Sequence, residues 1–388
     1  MSIKRIKIFI FIDSFRVGGM HRQMLFLSKY LNKKIFDTIV CTTGSHGSLK
    51  QEYDLTGVQL MDLKWKKTFD IKPVLRLGKI LKREAPDIVF ITESQNFVYY
   101  KIARIFCKKK VINIGSFRAL NFWKGHLNVI YKYIDDFLCR WFYISSNCII
   151  VNSNHLRSHY SKLLKPKQSN PLVVIRNGND FNFQLSKTNK QLRSELDLKE
   201  EDLFLLMVAR LDPWKDFDTI IEAAIRSKQI IPSIKLFLVG GGVLENYLKH
   251  KIRHLGADSY IKVLGEKVDI YDYINHCDIS VLSTNGEGFS NAILESMALG
   301  KPVIATDVGG NSEMVGNNGL SGMLIPPKSA SKFSEAIIKL GNDLNMRERM
   351  GRNGSKRVAQ LCSLKKFISS YEHLFINEIK KSKFHSVL

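Results

Sequence analysis

The sequence predicts an α/β protein built as two successive parallel-sheet domains, and three observations carry that expectation. The chain has 388 residues, long for one hydrophobic core and comfortable for two, with 45% apolar residues to fill them. Short β-branched runs alternate with longer amphipathic segments from end to end, the pattern of strands covered by crossover helices. A polar stretch with little periodicity, 184–201, separates one set of alternations from the next.

The first set places strands at Lys7 to Ile12, Thr38 to Thr42, Ile88 to Ile91, Val111 to Ser116, Cys148 to Val151 and Val173 to Ile175. Between them, Met20 to Leu31, Val74 to Glu84 and Asn128 to Phe142 read as helices, and the connections are too long for hairpins. The second set places strands at Leu203 to Val208, Lys235 to Val239, Ile261 to Val263, Ile279 to Leu282, Pro302 to Ala305 and Gly322 to Ile325. Its helices are Phe217 to Ile225, Leu244 to His254 and Ala292 to Leu299, and two helical patterns close the chain, Met346 to Gln360 and Lys366 to Ile379. The domains are therefore expected at 1–183 and 202–365, joined by the bridge 184–201, with the last helix, 366–388, packing back on the first domain.

No stretch approaches the roughly 18 consecutive apolar residues of a membrane helix. The opening run Ile3 to Ile12 is too short for a secretion signal and lacks a small-residue cleavage site, so a cytoplasmic protein is expected. The six cysteines are scattered without a C-x-x-C pair and read as small buried hydrophobes. The net charge of +23 is uneven: residues 1–180 hold 31 Lys and Arg against 12 Asp and Glu, a balance of +19, and the remainder hold 28 against 24. Such a field attracts nucleic acid, an anionic membrane or an anionic substrate, and charge alone does not choose among them.

Open parallel sheets bind ligands beyond the carboxyl ends of their strands, so the functional residues are expected in the loops there. After the first strand, Gly18-Gly19 precedes a helix, which suits either a close phosphate approach or an ordinary tight turn. The dinucleotide fingerprint G-x-G-x-x-G is absent. In the second domain, Arg210 and Lys215 follow the opening strand; a planar fork and a mobile ammonium suit a diphosphate, and a surface Lys-Asp pair is the alternative. The stretch Asn285 to Pro302 sets Glu287 between glycines and puts Asn291 and Glu295 on one helix face. Buried polar groups there need partners, which sugar and ribose hydroxyls provide, while N–H groups at the helix start, Phe289 to Asn291, favour phosphate. A backbone cap by Glu295 is the plainer alternative.

This stretch, with Asp307-Val308-Gly309-Gly310-Asn311-Ser312-Glu313 after the next strand, resembles the donor-binding signature of the retaining GT-B glycosyltransferases of family 4. Gly18-Gly19, the segment Arg176 to Asp180, and the pair Arg210 and Lys215 resemble further motifs of that family, in the same order along nearly the whole chain. The resemblance implies two Rossmann-like domains whose parallel sheets face a central cleft, and transfer of a hexosyl or N-acetylhexosaminyl group from a nucleoside-diphosphate sugar to an acceptor hydroxyl. It implies a catalytic set of Glu287 toward the sugar and Arg210 and Lys215 on the diphosphate. Donor contacts would come from Gly19, the backbone of Gly288, Phe289, Ser290 and Asn291, and Glu295 on the ribose. Neither a metal nor another cofactor is implied. UDP is the preferred nucleotide, with GDP-mannose next.

In one place the chain departs from the family. Many relatives carry a donor-contacting His after the N-terminal domain's fourth strand, where this sequence reads Gly115 to Asn121, with the nearest histidine, His126, displaced. Arg118 is the candidate sugar or acceptor contact there, in an electrostatic or orienting role, since a guanidinium stays protonated. A nucleotide-sugar epimerase of the same architecture and a basic nucleic-acid-binding protein are the other readings; for the second, no reader motif accompanies the charge. The basic first half mixes cations with apolar residues at Trp65 to Phe69, Lys101 to Phe106 and Phe122 to Lys124. That mixture points to a peripheral enzyme on an anionic inner leaflet, acting on a lipid-linked saccharide in cell-surface polysaccharide or glycolipid synthesis, with no nucleic-acid partner.

Overall fold

The computed structural model describes residues 4–16, 18–65, 70–92, 94–107, 109–119 and 129–384, with backbone alone at 94, 95, 129–132 and 384. Most of the Trp65 to Phe69 segment, Phe122 to Lys124, His126, and the Leu120-Asn121 end of the Arg118 loop lie outside the described residues. The chain forms two compact units: Met1–Gly178 with Leu364–Leu388, and Asn179–Ser363.

The first unit runs β1 (Ile6–Ile12), α1 (Gly19–Tyr30), β2 (Phe36–Thr42), α2 (Lys50–Asp54), β3 (Gln59–Asp62), α3 (Lys72–Glu84), β4 (Ile88–Ile91) and α4 (Ser94–Ala103). A single 3-10 turn, Arg104–Phe106, then leads to β5 (Ile112–Phe117), α5 (Val129–Ile144), β6 (Cys148–Val151), α6 (Asn154–Leu164) and β7 (Leu172–Val174). The seven strands are parallel in the order β3-β2-β1-β4-β5-β6-β7. β1 explains the stacking on both faces. Its alternate residues Phe9 and Phe11 join the core that buries Leu77 of α3, Tyr100 of α4, Phe142 of α5 and Tyr160 of α6. Ile8, Ile10 and Ile12 point the other way, into a core with Met24 and Leu27 of α1. That second core is completed from the far end of the sequence, by Phe367, Tyr371 and Phe375. Tyr371 lies 5.7 Å from Phe90 and Phe375 6.2 Å from Phe36, ring centre to ring centre.

The second unit begins with α7 (Asn189–Glu195) and continues β8 (Leu203–Val208), α8 (Phe217–Lys228), β9 (Ile234–Val239), α9 (Glu245–His254), β10 (Ile261–Gly265) and α10 (Ile270–His276). It finishes with β11 (Ile279–Leu282), α11 (Asn291–Ala298), β12 (Val303–Thr306), α12 (Asn311–Val315), β13 (Met323–Ile325), α13 (Ala330–Gly341) and α14 (Leu344–Cys362). Leu364–Phe384 then forms α15, the helix that carries Phe367, Tyr371 and Phe375. The six strands are parallel in the order β10-β9-β8-β11-β12-β13.

The segment 184–201 is more ordered than its composition suggests. Thr188 and Gln191 close a capping box at the start of α7. The Asp272 carboxylate accepts from the backbone N–H groups of Ser186 and Lys187, at 2.9 and 3.0 Å. All six cysteines are buried with free thiols. Among the described residues no helix is long and apolar enough to cross a membrane.

Candidate active site

In the second sheet the chain moves outward from β8 to β9 and β10, then returns to lay β11 on the other side of β8. The loops after β8 and β11 therefore leave neighbouring strands in diverging directions, which opens a crevice at their carboxyl ends. Three hydrogen bonds hold those loops together: Asn285 N–H donates to the Trp214 carbonyl at 2.9 Å, Asp216 N–H to Ser283 at 3.2 Å, and the Thr284 hydroxyl to Trp214 at 3.2 Å. The loop after β12 is tied in through Thr306, whose hydroxyl donates to the Thr284 carbonyl at 3.0 Å and accepts from its N–H at 3.1 Å.

On this frame Lys215 and Glu287 meet as an ion pair between Lys215 Nζ and Glu287 Oε1, each side chain 16% exposed. Arg210 stands at the same strand end with its side chain 75% exposed and its Nε 2.8 Å from Asp212. Glu287 is fixed from below by Gly309, which adopts a left-handed φ of +60°; a methyl group there would lie 1.7 Å from the Glu287 carbonyl oxygen. Ser290 caps α11 by accepting from Ile293 N–H, while Gly288 and Phe289 are buried beneath the helix start. Asn291 and Glu295 follow half-buried, one turn apart on α11. Asn311, fully buried, donates to the Thr306 carbonyl at 3.0 Å.

The first unit has its own constellation after β1. Gly18 is extended, Gly19 opens α1, and His21 Nε2 lies 2.6 Å from Asp13 Oδ1, with Arg16 2.7 Å from the other carboxylate oxygen. Burial alone would raise the Asp13 carboxyl, but the contacts from His21 and then Arg16 outweigh it and hold the group well below the usual carboxylate range. Arg118 is anchored within this unit: it donates to Asn177 Oδ1 at 2.9 Å and to the Tyr371 hydroxyl on α15.

Residues 17–183 match the family described as Glycosyltransferase Family 4, and residues 188–357 match Glycosyl transferases group 1. The chain belongs to glycosyltransferase family 4. As a family-4 glycosyltransferase it is a transferase, which decides against the epimerase. The Escherichia coli enzyme UDP-Gal:alpha-D-GlcNAc-diphosphoundecaprenol alpha-1,3-galactosyltransferase is 26% identical over 321 residues, 80% of each chain. The Bacillus subtilis protein EpsD is 32% identical over 167 residues, 43% of this chain and 44% of EpsD, so that match spans under half of the relative. Among solved structures, Anabaena HepE in complex with UDP and glucose superposes with a TM-score of 0.82 at 19% identity, over 96% of this chain and 100% of that one. The fold is GT-B.

Two features of this glycosyltransferase were not read from the sequence. Gly240 to Gly242, after β9, lie against the Arg210 loop: a methyl group on Gly240, at φ +145°, would fall 2.0 Å from the Ala209 carbonyl oxygen. Leu211 N–H donates to Gly241 at 2.9 Å. Three successive glycines after an apolar run were the available signal. The Asp13 and His21 pair had a weaker one, an acid and an imidazole eight residues apart across a loop.

Proposed function

We propose that the enzyme transfers a hexosyl or N-acetylhexosaminyl group, with retention of configuration, from a nucleoside-diphosphate sugar to a hydroxyl of a lipid-linked saccharide. The pairing of Lys215 with Glu287 at the carboxyl ends of β8 and β11 carries this reading. An ammonium has three N–H donors and no acceptor, so one donor engaged by Glu287 leaves two for phosphate oxygens. Glu287 aims the cation and offers its second oxygen to a sugar hydroxyl. Arg210, exposed at the same strand end, swings its fork onto the diphosphate. Backbone N–H groups from Gly288 to Asn291 face the phosphates at the start of α11, and Glu295 accepts from the ribose. Gly19 supplies a close backbone approach to the donor, and Arg118 orients sugar or acceptor through its anchored guanidinium.

In the reaction the bond from the anomeric carbon to the diphosphate oxygen breaks, and its electron pair leaves on the diphosphate. The acceptor oxygen bonds that carbon, and its proton passes to the departing diphosphate. Lys215 and Arg210 stabilise the charge that develops, a contribution of about 3–4 kcal/mol for a well-placed donor. These cations do the work a divalent ion does elsewhere, so the proposal includes no metal and no other cofactor.

UDP is favoured and GDP-mannose is second. The HepE complex with UDP and the UDP-Gal donor in the name of the Escherichia coli enzyme support the uridine choice, and the diphosphoundecaprenol in that name supports a lipid-linked acceptor. The product belongs to cell-surface polysaccharide or glycolipid synthesis, made at the cytoplasmic face of the membrane by a peripheral enzyme with no nucleic-acid partner. Calorimetric titration with UDP, GDP and ADP tests the donor, and incubation of UDP-sugars with a diphosphopolyprenyl saccharide, with and without EDTA, tests the reaction. Tight UDP binding and EDTA-resistant transfer are expected. Preference for GDP reverses the nucleotide, and an inverted anomeric linkage overturns retention.

A further inference from the structure

Helices α3, α4 and α5 lie side by side on one face of the first unit's sheet, α4 packing against both neighbours. Their buried sides follow the ordinary rule, with Leu77, Tyr100 and Phe142 in the core beneath. The outer side of α5 does not. On α5, Tyr133, Phe137, Arg140 and Ile144 fall at i, i+4, i+7 and i+11, one line along the helix, and Tyr133, Phe137 and Ile144 are 70%, 65% and 74% exposed. The two acids of that helix, Asp135 and Asp136, are half-buried off the line. Ile105, 80% exposed, and Phe106, 48% exposed, add further exposed apolar side chains on the turn after α4, where the Phe106 ring rests on Gly78 of α3.

Beyond that turn the chemistry changes sign. Lys72, Arg76, Lys79 and Arg83 occupy the same i, i+4, i+7, i+11 line on α3, all exposed. The helix's one carboxylate, Glu84, is taken by Arg83 and by Lys7. A row of cations beside rows of exposed Tyr, Phe and Ile has one fitting occupant, an anionic lipid bilayer: the apolar rows enter the acyl boundary while the cations sit among headgroup phosphates.

We propose that the outer surface of α3, α4 and α5 is the membrane-docking face of this glycosyltransferase, with α5 as the inserting helix. The inference rests on the lipid-linked acceptor proposed above and names the surface that brings the enzyme to it.

The test is flotation of the full-length protein with vesicles containing phosphatidylglycerol, with neutral phosphatidylcholine vesicles, and with the anionic vesicles at high salt. Three proteins are compared: wild type, the double variant Phe137→Asp with Ile105→Asp, and the double variant Lys79→Glu with Arg83→Glu. All four positions are exposed, and circular dichroism with thermal melting verifies folding. Wild type floats with anionic vesicles only, at low salt. The apolar double variant loses at least tenfold in bound fraction, and the charge double variant about fivefold or more for each position. Both retain wild-type transfer to a short-chain acceptor in detergent. Flotation of both variants equal to wild type overturns the assignment of this face while leaving the proposed reaction intact. Absence of transfer by wild type overturns the proposed reaction, with flotation still reporting on the face. A wild-type dimer in solution that the Phe137 and Ile105 changes dissociate, without flotation, gives the face to a second copy and overturns the bilayer.

Discussion

Lys215 and Glu287 stand 72 residues apart in sequence and form an ion pair across the crevice between the loops after β8 and β11. The pair exists because those two strands are neighbours in the sheet although two strands intervene in the chain. It converts a flexible lysine into a cation of fixed position, which transition-state stabilisation requires.

Truncating that cation should therefore be costly to transfer and cheap to folding. Lys215→Ala is expected to lower kcat by about 10²- to 10³-fold with an unchanged circular dichroism spectrum. Arg210→Ala, whose side chain is largely exposed and tethered to Asp212, should cost about tenfold or more. Steady-state transfer assays check both, and wild-type rates from the two variants together would remove them from the diphosphate.

Two glycines with similar backbone angles should respond differently to a methyl group. At Gly319, φ +70°, no described residue lies within 4 Å of the added carbon, and Gly319→Ala should cost about 1 kcal/mol for the left-handed backbone alone. At Gly309 the carbon would strike the Glu287 carbonyl at 1.7 Å, so Gly309→Ala should lose more than about 3 kcal/mol or displace the Glu287 loop. Urea denaturation with UDP titration distinguishes the two, and equal losses would argue that the loop yields freely.

Gln23 acts as a clamp in the first unit. Its buried amide donates to the Gly178 carbonyl at 2.9 Å and accepts from the Gly178 N–H at 2.7 Å. Gln23→Leu leaves both backbone groups unsatisfied, an expected loss of about 2–4 kcal/mol read from denaturant midpoints. A loss under 1 kcal/mol would show that water reaches Gly178.

The acid limb of stability should depend on Asp13. Its folded carboxyl lies below the ordinary range, so its contribution is present above the unfolded pKa of about 3.9 and is lost as pH falls from there toward the folded value. Asp13→Asn should lower stability by about 1–3 kcal/mol at pH 7, and the gap to wild type should narrow below about pH 4. Thermal melts from pH 3 to pH 7 measure the gap, and a constant difference would mean that the carboxylate charge is not what His21 and Arg16 hold.

Sequence pattern went furthest where burial was two-sided. β4, β6, β8 and β11 fall at the expected residues, because strands covered on both faces read as unbroken apolar runs. β3, Gln59–Asp62, escaped notice as a four-residue edge strand with a half-exposed polar face. α7 hid in a charged segment whose order comes from a capping box and from Asp272, a partner more than eighty residues away. In the crevice, residue types were legible and partnerships were not. Lys215 and Glu287 were each readable as ligands of a donor, but their contact is a product of strand order. Arg118 was readable as a departure, while its bonds to Asn177 and Tyr371 depend on where α15 lies.

The placement of α15 has a consequence for the growing chain. The sheet of the first unit has all its strands once Val174 is made, yet one flank still lacks Phe367, Tyr371 and Phe375. Residues 175–363, the rest of β7's exit and the whole second unit, emerge in between. At about 5–20 residues per second the ribosome needs roughly 10–40 s for that interval. Throughout it, Phe36 and Phe90 lack the Tyr371 and Phe375 rings that pack on them, so the domain begun first is the one finished last, and its bare flank is where a chaperone would bind during synthesis.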